Sequence, residues 1–354
     1  MKIALITDTH WGCRGDSSVF ARHISKFYAE QFFPYIDEYN IKNIVHLGDI
    51  LDRRKYVNYV TAKNLKNDFI NPIVERNIHC HIIIGNHDTY FKNTNEVNCM
   101  DILFGDMYKN IHFYSNPSYL HSISSDIAVI PWICSGNYNE FMEFIKNTKA
   151  QILFGHLDIN GFEMYKGTPS SHDGLDRNLF SAFDVVCSGH FHHKSTSGNI
   201  HYLGAPYQMT WSDYDDPRGF HIFDTDTREL EFIENKNNIF YKLFYDDQNE
   251  DMGFILDTDF SRYSDSIIKV IVKNKENPHW FDLYIDKLEK AGVADFQVVE
   301  DHLNLNLEID ENILDNVEDT LSVLNKYIEE SDTQNQKALF KLVQSLYSEA
   351  LSIE

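Results

Sequence analysis

Long apolar runs, paired cysteines and an excess of positive charge are all missing from this 354-residue sequence. No stretch of 18 apolar residues occurs, and the first four residues lead directly into a strand pattern, so we expect neither a membrane span nor a signal peptide. The five cysteines are scattered and never spaced Cys-x-x-Cys, which argues for a reducing cytoplasm and against a structural zinc site.

Basic residues are too few to balance the acidic ones. Lys and Arg total 31 against 54 Asp and Glu, giving a net charge of −23. Such a chain is not expected to capture DNA or an anionic membrane by its overall charge. If nucleic acid is the substrate, local basic residues, bound metal ions or a partner must supply the attraction.

Strand and helix patterns alternate through the first two thirds of the chain. The length predicts one large domain with smaller appendages. Strand patterns at 2–7, 43–47 and 79–84 alternate with helical patterns, and Pro34 and Pro72 are expected to kink those helices. This is the rhythm of an α/β fold with a mostly parallel sheet. Later strand patterns predict a second β layer, with helices outside both layers. These strands lie near 127–130, 151–154, 184–188, 201–203, 219–224 and 229–234, and a helix is predicted at 138–147.

The remainder of the chain has a different composition. Asn, Asp and Tyr become frequent over 235–265, which predicts a domain boundary. Strands at 266–272 and 295–299 and a helix at 278–291 then predict a compact α+β unit, with an alternating strand at 303–309. Two apolar helical stripes follow from 313 onward. They fold back on their own domain or dock on a partner, and the sequence leaves both alternatives open.

Five predicted strand ends carry side chains that bind metal ions, and in all but the first a glycine immediately precedes the motif. Open α/β sheets place their sites at the carboxyl ends of strands, so these side chains should converge. One histidine after a strand is usually an ordinary loop residue, but five such ends in register across one sheet predict a metal centre. The side chains are Asp8 and His10, Asp49, Asn86 with His87 and Asp88, His156, and His190 with His192.

The donor chemistry indicates two divalent cations. Carboxylate oxygen and imidazole nitrogen suit Mn²⁺, our first expectation, with Mg²⁺, iron or Zn²⁺ as alternatives. Asp49 stands alone between flanking pairs and is the expected bridging carboxylate. A pair of ions can stabilise both sides of an in-line displacement at phosphorus.

These motifs resemble the five motifs of the calcineurin-like metallophosphoesterases. Asp8-x-His10, Gly48-Asp49, Gly85-Asn86-His87-Asp88, Gly155-His156 and Gly189-His190-x-His192 match them in order. Gly204-Ala205-Pro206 and Asp216-Pro217-Arg218-Gly219-Phe220 resemble stretches of the SbcD-type DNA-repair nucleases. The short chain with its acidic helical tail is similar to the phage branch of that family, the recombination endonuclease subunits of T-even-like phages.

The resemblance implies a role for each matched residue. Asp8, His10, Asp49 and His192 would hold one ion, and Asp49, Asn86, His156 and His190 the other. His87 would be the catalytic histidine that contacts the phosphate, and Asp88 would orient its imidazole.

The resemblance also implies an architecture and an activity. The fold would be a four-layer αββα sandwich (1–235) with a small capping domain (236–310) and a helical hairpin (311–354) that binds an SbcC-type, SMC-like ATPase. A homodimer within a heterotetramer would cut double-stranded DNA ends exonucleolytically and single strands endonucleolytically, in the host cytoplasm if the chain is phage-encoded.

Several alternatives stay open at this point. Asp52-Arg53 is similar to a phosphate-binding motif of protein phosphatases, so Arg53 and Arg54 are predicted to bind substrate phosphate, the alternative being a solvated loop. His193 competes with His192 as a ligand. A phosphatase or small-molecule phosphodiesterase is the first rival function, and a metal-free scaffold is the second. Histidines within predicted strands are expected to be packing residues: His46, His79, His81 and His112.

Overall fold

The computed structural model describes residues 1–300 except positions 125, 167, 170–173, 249 and 251. The predicted strand at 303–309 and the predicted helical tail at 311–354 lie outside the described residues. Among the described residues, no helix is long and apolar enough to cross a membrane.

The first sheet has six strands and contains the N-terminal strand of the chain. The strands are β1 Lys2–Ile6, β2 Asn43–His46, β3 His79–Ile83, β4 Ile111–Tyr114, β13 Gly219–Asp224 and β14 Leu230–Glu234. Their order is β14-β13-β1-β2-β3-β4. Strands β1 to β4 are parallel, and β13 and β14 complete the sheet in antiparallel pairing. Isoleucines 82 to 84 are fully buried, as expected for a parallel strand covered on both faces.

The second sheet also has six strands. They are β5 Ser118–Tyr119, β6 Ile127–Ile130, β7 Ile152–His156, β10 Val185–Gly189, β11 Ser195–Ser197 and β12 Ile200–Tyr202. Their order is β11-β12-β10-β7-β6-β5. Strands β6, β7, β10 and β12 run parallel, and β5 and β11 pair antiparallel at the two edges. A separate small hairpin is formed by β8 Glu163–Tyr165 and β9 Thr168–Pro169.

Three apolar cores show that the sheets and helices form four layers. One core contains Leu5 and Val45 from the first sheet together with Phe154 from the second, so the two sheets pack face to face. A second core joins the outer face of the first sheet to the N-terminal helices. A third joins the outer face of the second sheet to helix Tyr138–Asn147. The predicted αββα sandwich is therefore confirmed.

Both proline-containing helices are divided by a π turn just before the proline, where the sequence predicted a kink. Helix Ser18–Phe27 continues through a π turn, Tyr28–Phe32, into helix Phe33–Glu38, which contains Pro34. Helix Tyr59–Leu65 passes through a second π turn, Lys66–Ile70, into helix Asn71–Glu75 with Pro72. Proline offers no N–H to the preceding turn, so the backbone shifts there to i→i−5 bonding. A short helix, Cys99–Leu103, follows the third strand.

A third sheet has its own apolar core. Strands β15 Phe240–Asp246, β16 Ile267–Asn274 and β17 Asp295–Glu300 are parallel, and helices Met252–Asp257 and Pro278–Lys290 pack on one face through Tyr245, Val270 and Leu288. Strand β15 was not predicted from the sequence, because frequent polar and aromatic residues suggested a boundary at 235–265. The division of the chain at residues 235 and 310 stays a prediction.

Candidate metal centre

The predicted strand ends meet at one edge of the sandwich. The Nε2 atoms of His10 and His192 are 3.0 Å apart, although the residues lie 182 positions apart in sequence. Asn86 Oδ1 is 2.9 Å from His156 Nε2 and 3.0 Å from His190 Nδ1. All seven predicted metal ligands therefore come together, with Asp8 joined to the others through the N–H of His190, which donates to both carboxylate oxygens at 3.1 Å.

At four of the seven predicted ligands the backbone is in the left-handed region that non-glycine residues seldom adopt. The φ angle is +52° at Asp8, +38° at His10, +55° at Asp49 and +91° at His190. Each such residue costs on the order of 1–3 kcal/mol, and such strain concentrates where a site needs side chains aimed in unusual directions. The folded scaffold thus holds four predicted ligands in strained conformations.

The glycines before the ligands are required by close approach. A Cβ on Gly85 would lie 2.2 Å from Asp49 Oδ1, and one on Gly189 would lie 2.0 Å from Thr7 Oγ1. Neither distance is compatible with a side chain. The glycines therefore let two strand ends pack directly against the side chains of Asp49 and Thr7.

The ligand atoms form two groups, and the carboxylate of Asp49 lies close to both. Donor atoms of Asp8, His10 and His192 lie within 4.8 Å of one another, as do those of Asp49, His156 and His190. Asp49 also groups with His10 and His87, so it stands between the two sets. This arrangement fits two cations bridged by Asp49. Cys13 borders the cleft, but burial raises the pKa of its thiol, so no thiolate is offered to a soft ion.

Burial keeps three of the histidines neutral. It lowers the pKa of His10 and of His190 to about 3, and it holds the pKa of His192 well below its ordinary value. Neutral imidazole is the form that binds metal. Two neutral nitrogens 3.0 Å apart, as in His10 and His192, repel each other unless a proton or a cation lies between them.

The buried carboxylates of Asp8 and Asp49 need a neighbouring positive charge to be stable in the ionised form. Burial raises the pKa of Asp8 to about 7. Burial would also raise the pKa of Asp49, but His156, whose Nε2 is 3.3 Å from Oδ2, outweighs it and holds that pKa well below its usual value. Burial would lower the pKa of His156, but Asp49 reverses this and raises it to about 9. Without a cation, then, a proton must stand in for the missing charge.

Hydrogen bonds fix which nitrogen of the predicted ligands faces the cleft. His156 Nδ1 lies 2.8 Å from the Leu47 carbonyl oxygen, so Nε2 faces Asp49 and Asn86. His10 Nε2 faces His192, whereas its buried Nδ1 makes no hydrogen bond with the described residues; the Asp52 carboxylate is 3.6 Å away. A carbonyl or carboxylate behind a metal-binding imidazole is the usual supporting arrangement.

His87 borders the cleft beside the ligands without belonging to either predicted set. Its Nδ1 lies 2.5 Å from the Asp52 carbonyl oxygen, so Nδ1–H donates there and Nε2 is left for the cleft. Its ring contacts His10 edge-on at 4.8 Å between centroids. This leaves the Nε2 atom of His87 in the cleft, next to the predicted metal ligands.

The expected role of Asp88 needs correction. Its carboxylate does not orient His87, because the Asp52 carbonyl does so. Asp88 is fully buried, and its oxygens accept the backbone N–H groups of Asp49, Gly85 and Ile50 at 2.9 Å and of Leu51 at 3.3 Å. Asp88 therefore ties the end of β2, which carries Asp49, to the end of β3.

The cleft has a volume of about 420 Å³. Among its described lining residues the one Lys or Arg is Arg14, which the sequence analysis did not select. Arg53 and Arg54 are not lining residues; Arg53 pairs with Asp16 at 3.3 Å and stacks on Tyr56. Their predicted contact with substrate phosphate stays a prediction. The cleft is lined by His10, Cys13, Arg14, Gly15, Asp49, Asp52, Asn86, His87, Met164, His190, His192, Met209 and Thr210.

The other histidines have separate partners. His193 Nδ1 is 3.0 Å from Asp216, so the competing ligand assignment is not favoured. His46 is buried between Thr9 and the Gly48 N–H, and His81 bonds to Tyr114. These two strand histidines pack and bond within the scaffold, as predicted.

Comparisons with known proteins identify proteins to which this chain is similar. The sequence model of the calcineurin-like phosphoesterases matches residues 1–194, a range that includes every predicted ligand. The chain is 30% identical over 353 residues to "Exonuclease subunit 1" of Enterobacteria phage T4, covering 99% of each. It is 31% identical over 94 residues to the SbcD component of the nuclease SbcCD from Staphylococcus saprophyticus, covering 25% of each. A solved structure titled "Structural and Functional Characterization of a Novel Archaeal Phosphodiesterase" overlaps 66% of this chain and 100% of that one, with 15% identity and a TM-score of 0.33.

Proposed function

Because this chain belongs to the calcineurin-like phosphoesterase family, we propose that it is a two-metal nuclease that hydrolyses phosphodiester bonds in DNA. One observation carries the proposal. Five of the seven proposed ligands and His87 line a single cleft, and the other two, Asp8 and His156, group with them, in a chain similar over its whole length to a phage exonuclease subunit. Mn²⁺ is the metal we propose, since all seven ligands offer oxygen or imidazole nitrogen.

The chain's own groups have definable tasks. The ions, when bound, would supply Lewis acidity and positive charge at the phosphate. Asp49 and Asn86 each contribute an oxygen between the imidazoles. His87 would contact the phosphate and hand a proton from Nε2 to the leaving oxygen, while its Nδ1–H stays bonded to the Asp52 carbonyl.

Three lysines outside the cleft support a nucleic-acid substrate despite the net charge of −23. Lys269 lies over Trp211 at 4.1 Å and Lys242 over Tyr214 at 4.5 Å, and Thr210 beside Trp211 lines the cleft. Lys273 lies over the ring of Phe244 at 4.9 Å. All three lysines lie on β15 and β16 of the third sheet. Amine and aromatic groups in this arrangement suit phosphates and bases. We propose that DNA passes from the cleft toward these residues.

Turnover of two substrates tests the proposal against its rival. The purified chain with Mn²⁺ is expected to digest double-stranded ends and nick single strands, with little turnover of p-nitrophenyl phosphate. Rapid p-nitrophenyl phosphate turnover without DNA cleavage would instead favour the phosphatase or small-molecule phosphodiesterase. Metal analysis separates both from the metal-free scaffold.

We also propose that residues 311–354 dock an SMC-like ATPase, with 236–310 as a capping domain. The names of both similar proteins describe subunits, which supports an assembly. Deleting residues 312–354 is expected to abolish co-purification with the ATPase while leaving the metal content unchanged. Retention of the ATPase by the truncated chain would contradict this assignment.

A homodimer in the host cytoplasm completes the proposed assembly. Exposed apolar side chains on the helices that follow β2 and β3 support it: Tyr59 is 92% exposed, Val60 63% and Ile102 69%. Light scattering of the chain alone and with the ATPase tests the stoichiometry. Arg53 and Arg54, which are not among the lining residues of the cleft, remain proposed phosphate contacts.

A further inference from the structure

The loop after the first metal motif has an unusual backbone. The φ angle is +90° at Gly12, +54° at Arg14, +68° at Gly15 and +61° at Asp16. Two of these four residues carry side chains that disfavour such angles. A strained conformation persists only where its surroundings determine it, and it then points to a functional placement.

The surroundings of this loop do determine it. The Asp16 carboxylate accepts a hydrogen bond from Thr61 at 2.6 Å and pairs with Arg53 at 3.3 Å. The Asp16 N–H donates to the Gly12 carbonyl oxygen at 2.9 Å. On the cleft side, Arg14 Nε donates to the Met209 carbonyl oxygen at 2.8 Å. The guanidinium is therefore held in one orientation between the loop and the opposite wall.

The charge of the cleft indicates a function for the fixed Arg14 guanidinium. Asp49 and Asp52 border the same cavity, and among the described lining residues Arg14 alone is a Lys or Arg. The proposed ions would neutralise the phosphate that is cut. A nucleic acid brings further phosphates on either side of it, and these would meet a carboxylate-lined wall unless a cation faces them. A guanidinium binds phosphate oxygens through parallel N–H groups.

We propose that Arg14 binds a phosphate next to the one being cut and so sets the position of the strand in the cleft. This inference rests on the proposed nuclease function. It assigns Arg14 as a substrate-positioning residue rather than a metal ligand or proton carrier. The competing explanation is that Arg14 has only a structural role through its bonds within the protein, of which the one to Met209 is an example.

Salt dependence of binding separates the two explanations. Binding of a fluorescent single-stranded 12-mer is measured with Mn²⁺ in the slow-cleaving His87→Ala background. Adding Arg14→Gln is expected to weaken binding about tenfold and to make the slope of log Kd against log salt shallower by about 0.7, the value for one lost phosphate contact. Arg14→Lys should keep the slope. Arg177→Gln is the matched control, because Arg177 also donates to a backbone carbonyl but lies outside the cleft lining.

Neutral phosphate analogues locate the contact. Twelve-mers that each carry one methylphosphonate are compared on the same two proteins. One placement should weaken binding to the Arg14 protein about tenfold and leave binding to Arg14→Gln unchanged. A slope unaffected by Arg14→Gln, or sensitivity to every placement retained in that variant, would overturn the inference. If the parental chain cuts no DNA at all, the proposed function fails instead, which is a distinguishable result.

Discussion

Replacing Asp88 by asparagine should damage metal binding and folding rather than proton transfer alone. The carboxylate accepts four backbone N–H groups, two on each oxygen. An asparagine turns one oxygen into a donor, so two of the four N–H groups lose their acceptor. Each buried unpaired N–H costs about 1–3 kcal/mol, which gives a gross loss of about 2–6 kcal/mol.

A smaller opposing effect reduces this loss. Burial and the nearby Asp49 charge raise the pKa of Asp88, so removing its charge relieves some repulsion. We expect a net destabilisation of about 2–4 kcal/mol and a fall in Tm of roughly 5–10 °C. Because three of the four donors lie in residues 49–51, the position of Asp49 should also loosen, and metal content should fall below two ions per chain.

Three measurements on Asp88→Asn test whether Asp88 supports the scaffold: thermal unfolding, metal content by mass spectrometry, and DNA cleavage. Asp286→Asn is the control, since that carboxylate is half exposed and its pair with Lys290 is worth less than about 1 kcal/mol. If Asp88→Asn lowered cleavage while Tm and metal content matched the parental chain, the scaffold role would be refuted. The expectation that Asp88 orients His87 would then return.

Three further predictions follow from the same geometry. His87→Ala should slow DNA cleavage about a hundredfold with both ions still bound, as shown by turnover and metal content; parental turnover would remove His87 from catalysis. Gly85→Ala should lower metal content, because its Cβ would lie 2.2 Å from Asp49 Oδ1, whereas Gly105→Ala, with open space around it, should retain both ions. His81→Gln should reduce the acid sensitivity of folding. Burial lowers the pKa of His81 to about 3, so the neutral side chain contributes to the free energy of unfolding above pH 6.5. This contribution is lost as the pH falls below 6.5, which lowers the free energy of unfolding by about 1.4 kcal/mol at pH 5.5. Denaturant unfolding at pH 7.5 and 5.5 measures the difference, and an unchanged pH dependence in the variant would contradict it.

The ligand set could be predicted from sequence because its rule is local. A buried β-branched run followed by glycine and a polar residue marks the end of a parallel strand, and such ends share one edge of a sheet. Asp8 and Asp49 lie together for this reason, whereas His190 follows β10 of the second sheet and joins them because the two sheets pack face to face. The helical tail beyond residue 310 remains a prediction with no structural counterpart among the described residues.

What the sequence analysis missed depends on tertiary packing. The partners of Asp88 could not be read from its position after His87, since three of its four donors come from the loop after β2, 37 to 39 residues earlier. Arg14 escaped notice because its place in the cleft depends on a carbonyl 195 residues away. Arg53, selected by motif, is instead paired with Asp16. Local patterns indicate which residues can bind metal, and only the fold decides which neighbours support them.

Anomalous diffraction from Mn²⁺-soaked crystals tests the central claim most directly. Two peaks are expected, one among Asp8, His10 and His192 and the other among Asn86, His156 and His190, with Asp49 between them. A single peak, no peak, or manganese bound away from these side chains would contradict the two-metal centre on which the proposed DNA cleavage depends.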